Sequence, residues 1–195
     1  MYGLTAGLVG ETVFACGGFH HYYREIITSR QMVSNKCPQK SLTFWLRAEC
    51  YEFSRHSKQW TVSRIRLENA TGFPASVEDR AGRRLIIAGG REWRTGNISS
   101  PWRYFSSVRA ITSGGEYLAL PDLPEPLADH CLVITEAGAR RRLWVIGGSN
   151  KPQRYRVEVH ARDLNDPSGL WTRMPDLLDA RQWQGCALRQ ISTSL

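Results

Sequence analysis

The sequence predicts an all-β fold built from repeated four-stranded antiparallel units, and three observations carry that prediction. An apolar run ending in a double glycine recurs as ETVFACGG (11–18), RRLIIAGG (83–90) and RRLWVIGG (141–148). Each copy is flanked, at similar distances, by further short β-rich runs. No helical period of useful length appears anywhere. Four short strands in about 50–55 residues, repeated along the chain, is the sequence form of a β-propeller.

The strands follow from the anchors. Ahead of each glycine pair lies its apolar strand (12–16, 85–88, 143–146), and ahead of that a turn containing Gly10, Gly82 or Gly138. Before the turn comes another short run: LTAGLV (4–9), ASVED (75–79) and DHCLVIT (129–135). Two β-rich runs joined by a glycine turn read as a hairpin. After each glycine pair a variable segment leads to a third strand: CYEFS (50–54), SVRAITS (107–113) and VEVHARD (157–163). A polar turn and an aromatic residue follow, Trp60, Tyr117 and Trp171, opening the fourth strand. Pro-containing exits close two units, LPDLP (120–124) and MPDLL (174–178). A fourth copy starts with WQGCALRQI (183–191). The blades expected are therefore 1–72, 73–127 and 128–182 within one domain of 1–195, with 183–195 as the first strand of the next. Trp60 and Trp171 are expected to be largely buried at blade junctions. Small residues on first strands (Ala6-Gly7, Ala75-Ser76, Cys131, Cys186) suit a crowded axis.

The 42 % hydrophobic and 23 % charged content fits a folded globular chain. No run reaches the roughly 18 apolar residues of a membrane span. The opening MYGLTAGLVG has neither the basic nor the long apolar region of a signal peptide and reads as a strand. The net charge of +8 is mostly arginine, which favours an acidic partner. However, the clusters Arg83-Arg84 and Arg140-Arg141-Arg142 fall at equivalent turns and read as solvated, so replacing 140–142 is expected to do little. No nucleic-acid-binding motif accompanies them, and nucleic acid is not expected as a partner.

The segment RLWVIGG…VEVHARDLNDPSGLWTRMPDLLDAR (142–181) resembles the kelch repeat, and VFACGG…CYEFSRHSKQW (13–60) is similar with a long insertion. The middle unit departs by carrying Tyr117 where the repeat has Trp. The resemblance covers essentially the whole chain. It implies a kelch-type β-propeller acting as a non-catalytic scaffold or substrate-recognition module for a protein partner, without a cofactor. Closed propellers have about 4–8 blades. Three blades and part of a fourth thus imply an incomplete ring, whose open edges need the rest of a propeller or another chain. Such a chain is expected to associate rather than remain a clean monomer.

Strands two and three run antiparallel, which sets Cys16 opposite Cys50, where the other units have Ala88 with Val108 and Ile146 with Val157. The two cysteines are present together or absent together, which favours a disulfide; buried thiols are the other reading. Cys131 and Cys186 read as equivalent small core residues, and Cys37 is left over. A bridge, with the sequons Asn69-Ala70-Thr71 and Asn97-Ile98-Ser99, leans toward an extracellular location. The large group of intracellular kelch adaptors leans the other way.

Other chemistry is poorly supplied. His20-His21, Tyr22-Tyr23 and Cys37 fit no metal-ligand spacing. No Tyr/His/Cys set maps onto the copper site of a galactose-oxidase-like protein. DPSGLWT (166–172) misses the aspartate-box spacing of sialidases. The double glycines lack the Lys-Ser/Thr of a phosphate loop. Function is therefore placed in the variable segments after the glycine pairs. There Tyr22, Arg24, Trp45, Arg47, Arg91, Trp93, Arg94, Trp102, Arg103 and Tyr104 combine the residue types of binding hot spots. The alternative is an extracellular propeller that binds or processes carbohydrate.

Overall fold

A computed structural model describes residues 3–25, 40–93, 102–166 and 169–187. The described residues contain strands and no helix, and no helix is long and apolar enough to cross a membrane. In chain order the first unit holds β1 (Thr5–Val9), β2 (Thr12–Cys16), β3 (Phe19–Glu25), β4 (Lys40–Leu46), β5 (Glu49–Ser54) and β6 (Gln59–Arg66). The second holds β7 (Ala75–Asp79), β8 (Arg84–Ala88), β9 (Arg91–Trp93), β10 (Trp102–Tyr104), β11 (Val108–Thr112) and β12 (Tyr117–Leu120). The third holds β13 (Cys131–Ala137), β14 (Arg140–Ile146), β15 (Ser149–Lys151), β16 (Arg154–Tyr155), β17 (Val159–Asp163) and β18 (Thr172–Met174).

Each unit folds the same way. Sheet 1 is β1-β2-β5-β6, sheet 2 is β7-β8-β11-β12 and sheet 3 is β13-β14-β17-β18, all antiparallel. The segment between second and third strands forms a separate two-stranded ribbon each time: β3/β4, β9/β10 and β15/β16. The first strands are neighbours, with β7 touching both β1 and β13. One core lies between sheets 1 and 2, around Phe14, Leu85, Ile87 and Ile111. A second lies between sheets 2 and 3, around Ile86, Val108, Leu143 and Val145. At the first strand, Gly7 leaves room for Leu85: a Cβ there would sit 2.2 Å from Leu85 Cδ1.

The double glycine is where the chain crosses itself. The second glycine donates its N–H to the residue that leads into the next unit: Gly18 to Thr71 O (2.8 Å), Gly90 to Leu127 O (2.7 Å) and Gly148 to Arg181 O (2.7 Å). Both glycines have positive φ, for example 64° at Gly89 and 101° at Gly90. A Cβ on Gly89 would meet Leu127 O at 2.2 Å. Left-handed backbone and this close approach together exclude a side chain, so the pair recurs wherever the crossing recurs.

A second repeated device is invisible in the sequence. Gly3, Phe73, Asp129 and Trp183 each open a unit, all with φ between 55° and 67°. Phe73 N–H donates to Gly3 O, Asp129 N–H to Phe73 O and Trp183 N–H to Asp129 O. A backbone thread therefore links successive units. Trp183 takes the position that opens a unit, although the described residues 183–187 form no strand, so the expected fourth-unit strand is not seen there.

Several expectations need correction. Ile146 pairs with Val159, not Val157, because Glu158 O is used by the N–H of Gly147 at the crossing. Trp60 is 53 % exposed, since among the described residues no sheet lies against its face of sheet 1. Trp171 is half-buried and donates Nε1–H to Asp122 O across the sheet 2 exit (2.6 Å). The expected Cys16–Cys50 bond, by contrast, is present, with Cα atoms 4.1 Å apart. Cys131 and Cys186, expected as separate core thiols, are also bonded, with Cα atoms 6.0 Å apart. They are not at one repeat position. Counting from Asp129 and Trp183, Cys131 matches Thr5 and Cys186 matches Ser76. Thr5 Oγ1 donates to Ser76 Oγ across the first junction. The disulfide occupies the corresponding place at the last one.

The arginine clusters are not simply solvated. The Asp79 carboxylate, 0 % exposed, accepts from Arg84 Nε (2.8 Å) in its own sheet and from Arg141 Nη1 (2.8 Å) in the next. Gly82 N–H donates to it as well (2.9 Å). Arg141 Nε donates to Asn165 (3.1 Å). Of the expected solvated set, Arg140 and Arg142 stay at the surface while Arg84 and Arg141 bind the units together.

Candidate functional site

All three ribbons begin at the glycine crossings and therefore emerge at the same end of their sheets. They are neighbours: β4 touches β9, and β10 touches β15. The described parts of the segments whose lengths vary in sequence thus adjoin one another above the sheets.

The predicted residues distribute over this surface as follows. Tyr22 and Arg24 lie on β3, opposite Thr43 and Ser41, and Trp45 lies on β4, opposite His20. Trp93 on β9 pairs with Trp102 on β10. The side chains of Tyr22, Arg24, Trp45 and Trp93, and the whole of Arg94, lie outside the described residues, as do Cys37 and the sequon at Asn97. Arg47 is half-buried; its backbone N–H donates to Gly18 O and its C=O accepts from Thr71 N–H. Arg103 stays half-exposed, with its guanidinium 5.2 Å from the Phe105 ring centre and 3.5 Å from Glu92.

Arg91 is the centre of the described part. Its guanidinium lies over Trp102 (4.6 Å to the ring centre) and Phe73 (4.7 Å). Nη1 donates to Tyr104 Oη (3.3 Å) and stands 3.2 Å from Asp129 Oδ2. Its side chain is only 11 % exposed and that of Asp129 is 0 %. Asp129 Oδ1 also accepts from Trp183 Nε1. Burial raises the Asp129 pKa, against the opposing pull of Arg91 and then Trp183. Beside this cluster Arg156 pairs with Glu158 (2.8 Å) and Glu125 (2.5 Å), and Asn150 Nδ2 donates to Glu125 (2.7 Å).

Asp129, Phe73 and Trp183 were missed by sequence reasoning. They gather because each opens a unit on the backbone thread. Only Asp is a residue type that favours left-handed backbone; Phe and Trp give no such signal.

His130 sits between two crossings. A Cβ on Gly89 would come within 2.8 Å of its Cε1, and one on Gly148 within 2.6 Å of its Cβ. Neither ring nitrogen has a hydrogen-bond partner, and burial pushes its pKa down to about 4. The unfolded chain takes up this proton near pH 6.5 and the folded chain only near 4. Stability is therefore full above pH 6.5 and falls as pH drops toward 4, by about 3 kcal/mol from this group. Asp129, with its raised pKa, offsets part of that loss. Urea unfolding across pH 4–7 should show the decline, and His130→Leu should flatten it. An equally steep decline in the variant would assign it elsewhere.

Chemically, the central charges are spent on one another. Among the described residues no three His, Cys, Asp or Glu side chains are grouped to hold a metal ion. Among the described ribbon side chains, the outward rim is made by Arg103, Arg154 and Tyr155, with Trp102 and Tyr104 half-buried.

No family model matches the chain, and no curated protein matches it. Among solved structures it is similar to one titled "Structure of YjhT", with a TM-score of 0.64 and 10 % identity over 92 % of this chain. The matched region is 53 % of that chain, so this chain spans about half the length of YjhT. At this identity the likeness shows the fold alone.

Proposed function

We propose that this chain is an arc of a kelch-type β-propeller that binds a protein partner through the surface formed by its three ribbons. The observation that carries the reading is the contrast between constant sheets and variable, contiguous ribbons. Recognition is expected on the part of a scaffold that changes while its support does not. The glycine crossings and the aromatic at the fourth strand support the kelch reading. The likeness to YjhT over half of that chain supports three units of a larger ring. Two disulfides support an oxidising, extracellular setting.

The rim chemistry fits an acidic or aromatic-bearing partner. The test compares wild type with Trp93→Ala/Arg94→Ala/Trp102→Ala in quantitative affinity capture, beside a glycan array. The expected result is a discrete set of proteins held by wild type and lost, by a few kcal/mol in sum, by the variant. Arg140→Ala/Arg142→Ala should retain them. Selective glycan binding with no variant-sensitive protein would replace this reading with a carbohydrate-directed one.

A further inference from the structure

Between sheets 2 and 3 lies a buried charge that the repeat does not require. Arg162 on β17 pairs with Leu143, as Ile111 pairs with Leu85 in sheet 2 and Phe53 with Val13 in sheet 1. The same position is thus apolar in two units and a guanidinium in the third. Leu143 is buried in the second core, and Arg162 beside it is only 4 % exposed. Its guanidinium stands 6.0 Å from the Trp171 ring centre. A guanidinium is not deprotonated in proteins, so the charge has to be balanced where it lies.

The residues around it do not balance it. The buried Asp79 carboxylate already accepts from Arg84 and Arg141. Three little-exposed guanidinium groups therefore stand near one buried carboxylate. Asp166 lies at the exposed turn after β17, where water screens its charge. Arg162 Nη2 donates to the backbone oxygen of Asp166 at 3.4 Å. Its Nε and Nη1 have no hydrogen-bond partner among the described residues. Burial, then repulsion from Arg84, push the Arg162 pKa down, against the smaller pull of Asp166. Buried charges are ordinarily paired, and orphaned buried donors call for an acceptor. Water would satisfy the two N–H groups but brings no negative charge.

We propose that a chloride-sized anion binds between sheets 2 and 3, accepting from Arg162 and attracted by Arg84 and Arg141. A small monovalent ion suits a position so closed to solvent. The site belongs to the junction of two units and is independent of whatever the ribbons bind.

The test is urea unfolding of the full chain in sodium chloride and in sodium gluconate at equal ionic strength. Arg162→Ile installs the residue that sheet 2 carries at Ile111, and Arg140→Met, at an exposed turn, is the control. Chloride should stabilise wild type and control saturably. Arg162→Ile should weaken the apparent chloride affinity by at least roughly tenfold while keeping the wild-type circular dichroism spectrum. The chlorine NMR linewidth needs no variant: folded wild type should broaden it more than the urea-unfolded chain does, and bromide should reverse the broadening. Equal stability of wild type in the two salts would overturn the proposal. So would a chloride dependence that Arg162→Ile keeps. If that variant does not fold, the linewidth decides: no excess broadening by the folded chain, or broadening that bromide leaves unchanged, would sink the idea.

Discussion

Replacing Asp79 with alanine is expected to lower unfolding stability by about 3–5 kcal/mol. The carboxylate is fully buried and holds Arg84 and Arg141, whose side chains are only 17 % and 20 % exposed. Its removal leaves two guanidinium groups short of a partner in a setting that water barely reaches. The loss also couples units, since Arg141 lies in sheet 3 and Asp79 in sheet 2. Arg140→Met/Arg142→Met should change stability by less than about 0.5 kcal/mol, because exposed charges away from special contacts contribute little. Arg141→Met alone should fall between. Urea unfolding of the four proteins checks the set. If the Asp79 variant lay within 1 kcal/mol of wild type, roughly the scale of a surface ion pair, the clamp would contribute no more than one.

The second large effect is expected from the Cys16–Cys50 bond. The two residues are 34 apart in sequence, and in the chain-entropy account a closure of that length stabilises by about 4 kcal/mol. The informative variant is Cys16→Ala/Cys50→Val, which installs the pair that sheet 2 carries at Ala88 and Val108. It preserves packing and removes only the covalent constraint. A drop of several kcal/mol in urea unfolding is expected, and a variant as stable as wild type would show the constraint to be idle. Thiol labelling of the unfolded, unreduced protein should modify Cys37 alone of the five cysteines.

Much of this fold was legible in the sequence because its determinants are local and repeat. The double glycines mark crossings that forbid a side chain, so they recur with the crossing itself. Alternation and turns placed the first strand of the second unit at 75–79, where β7 lies. The register placing Cys16 opposite Cys50 followed from Cys16 ending the second strand, just before the double glycine, and Cys50 opening the antiparallel third. The candidate surface was legible only as loops of unequal length; that they fold as ribbons and touch one another was not.

What the sequence by itself determined is therefore the unit: its four strands, its crossing and its internal disulfide. Tertiary structure alone decided how units meet. The Arg141–Asp79 pair spans 62 residues and two sheets, so no local pattern announces it. Cys186 reaches Cys131 because the chain opens its next unit beside β13, one repeat position out of step with the match read from spacing. Trp60 and Trp171 hold equivalent places in the repeat. One is uncovered and the other packed, because a repeat specifies the face a side chain presents, and burial requires that another surface arrive there.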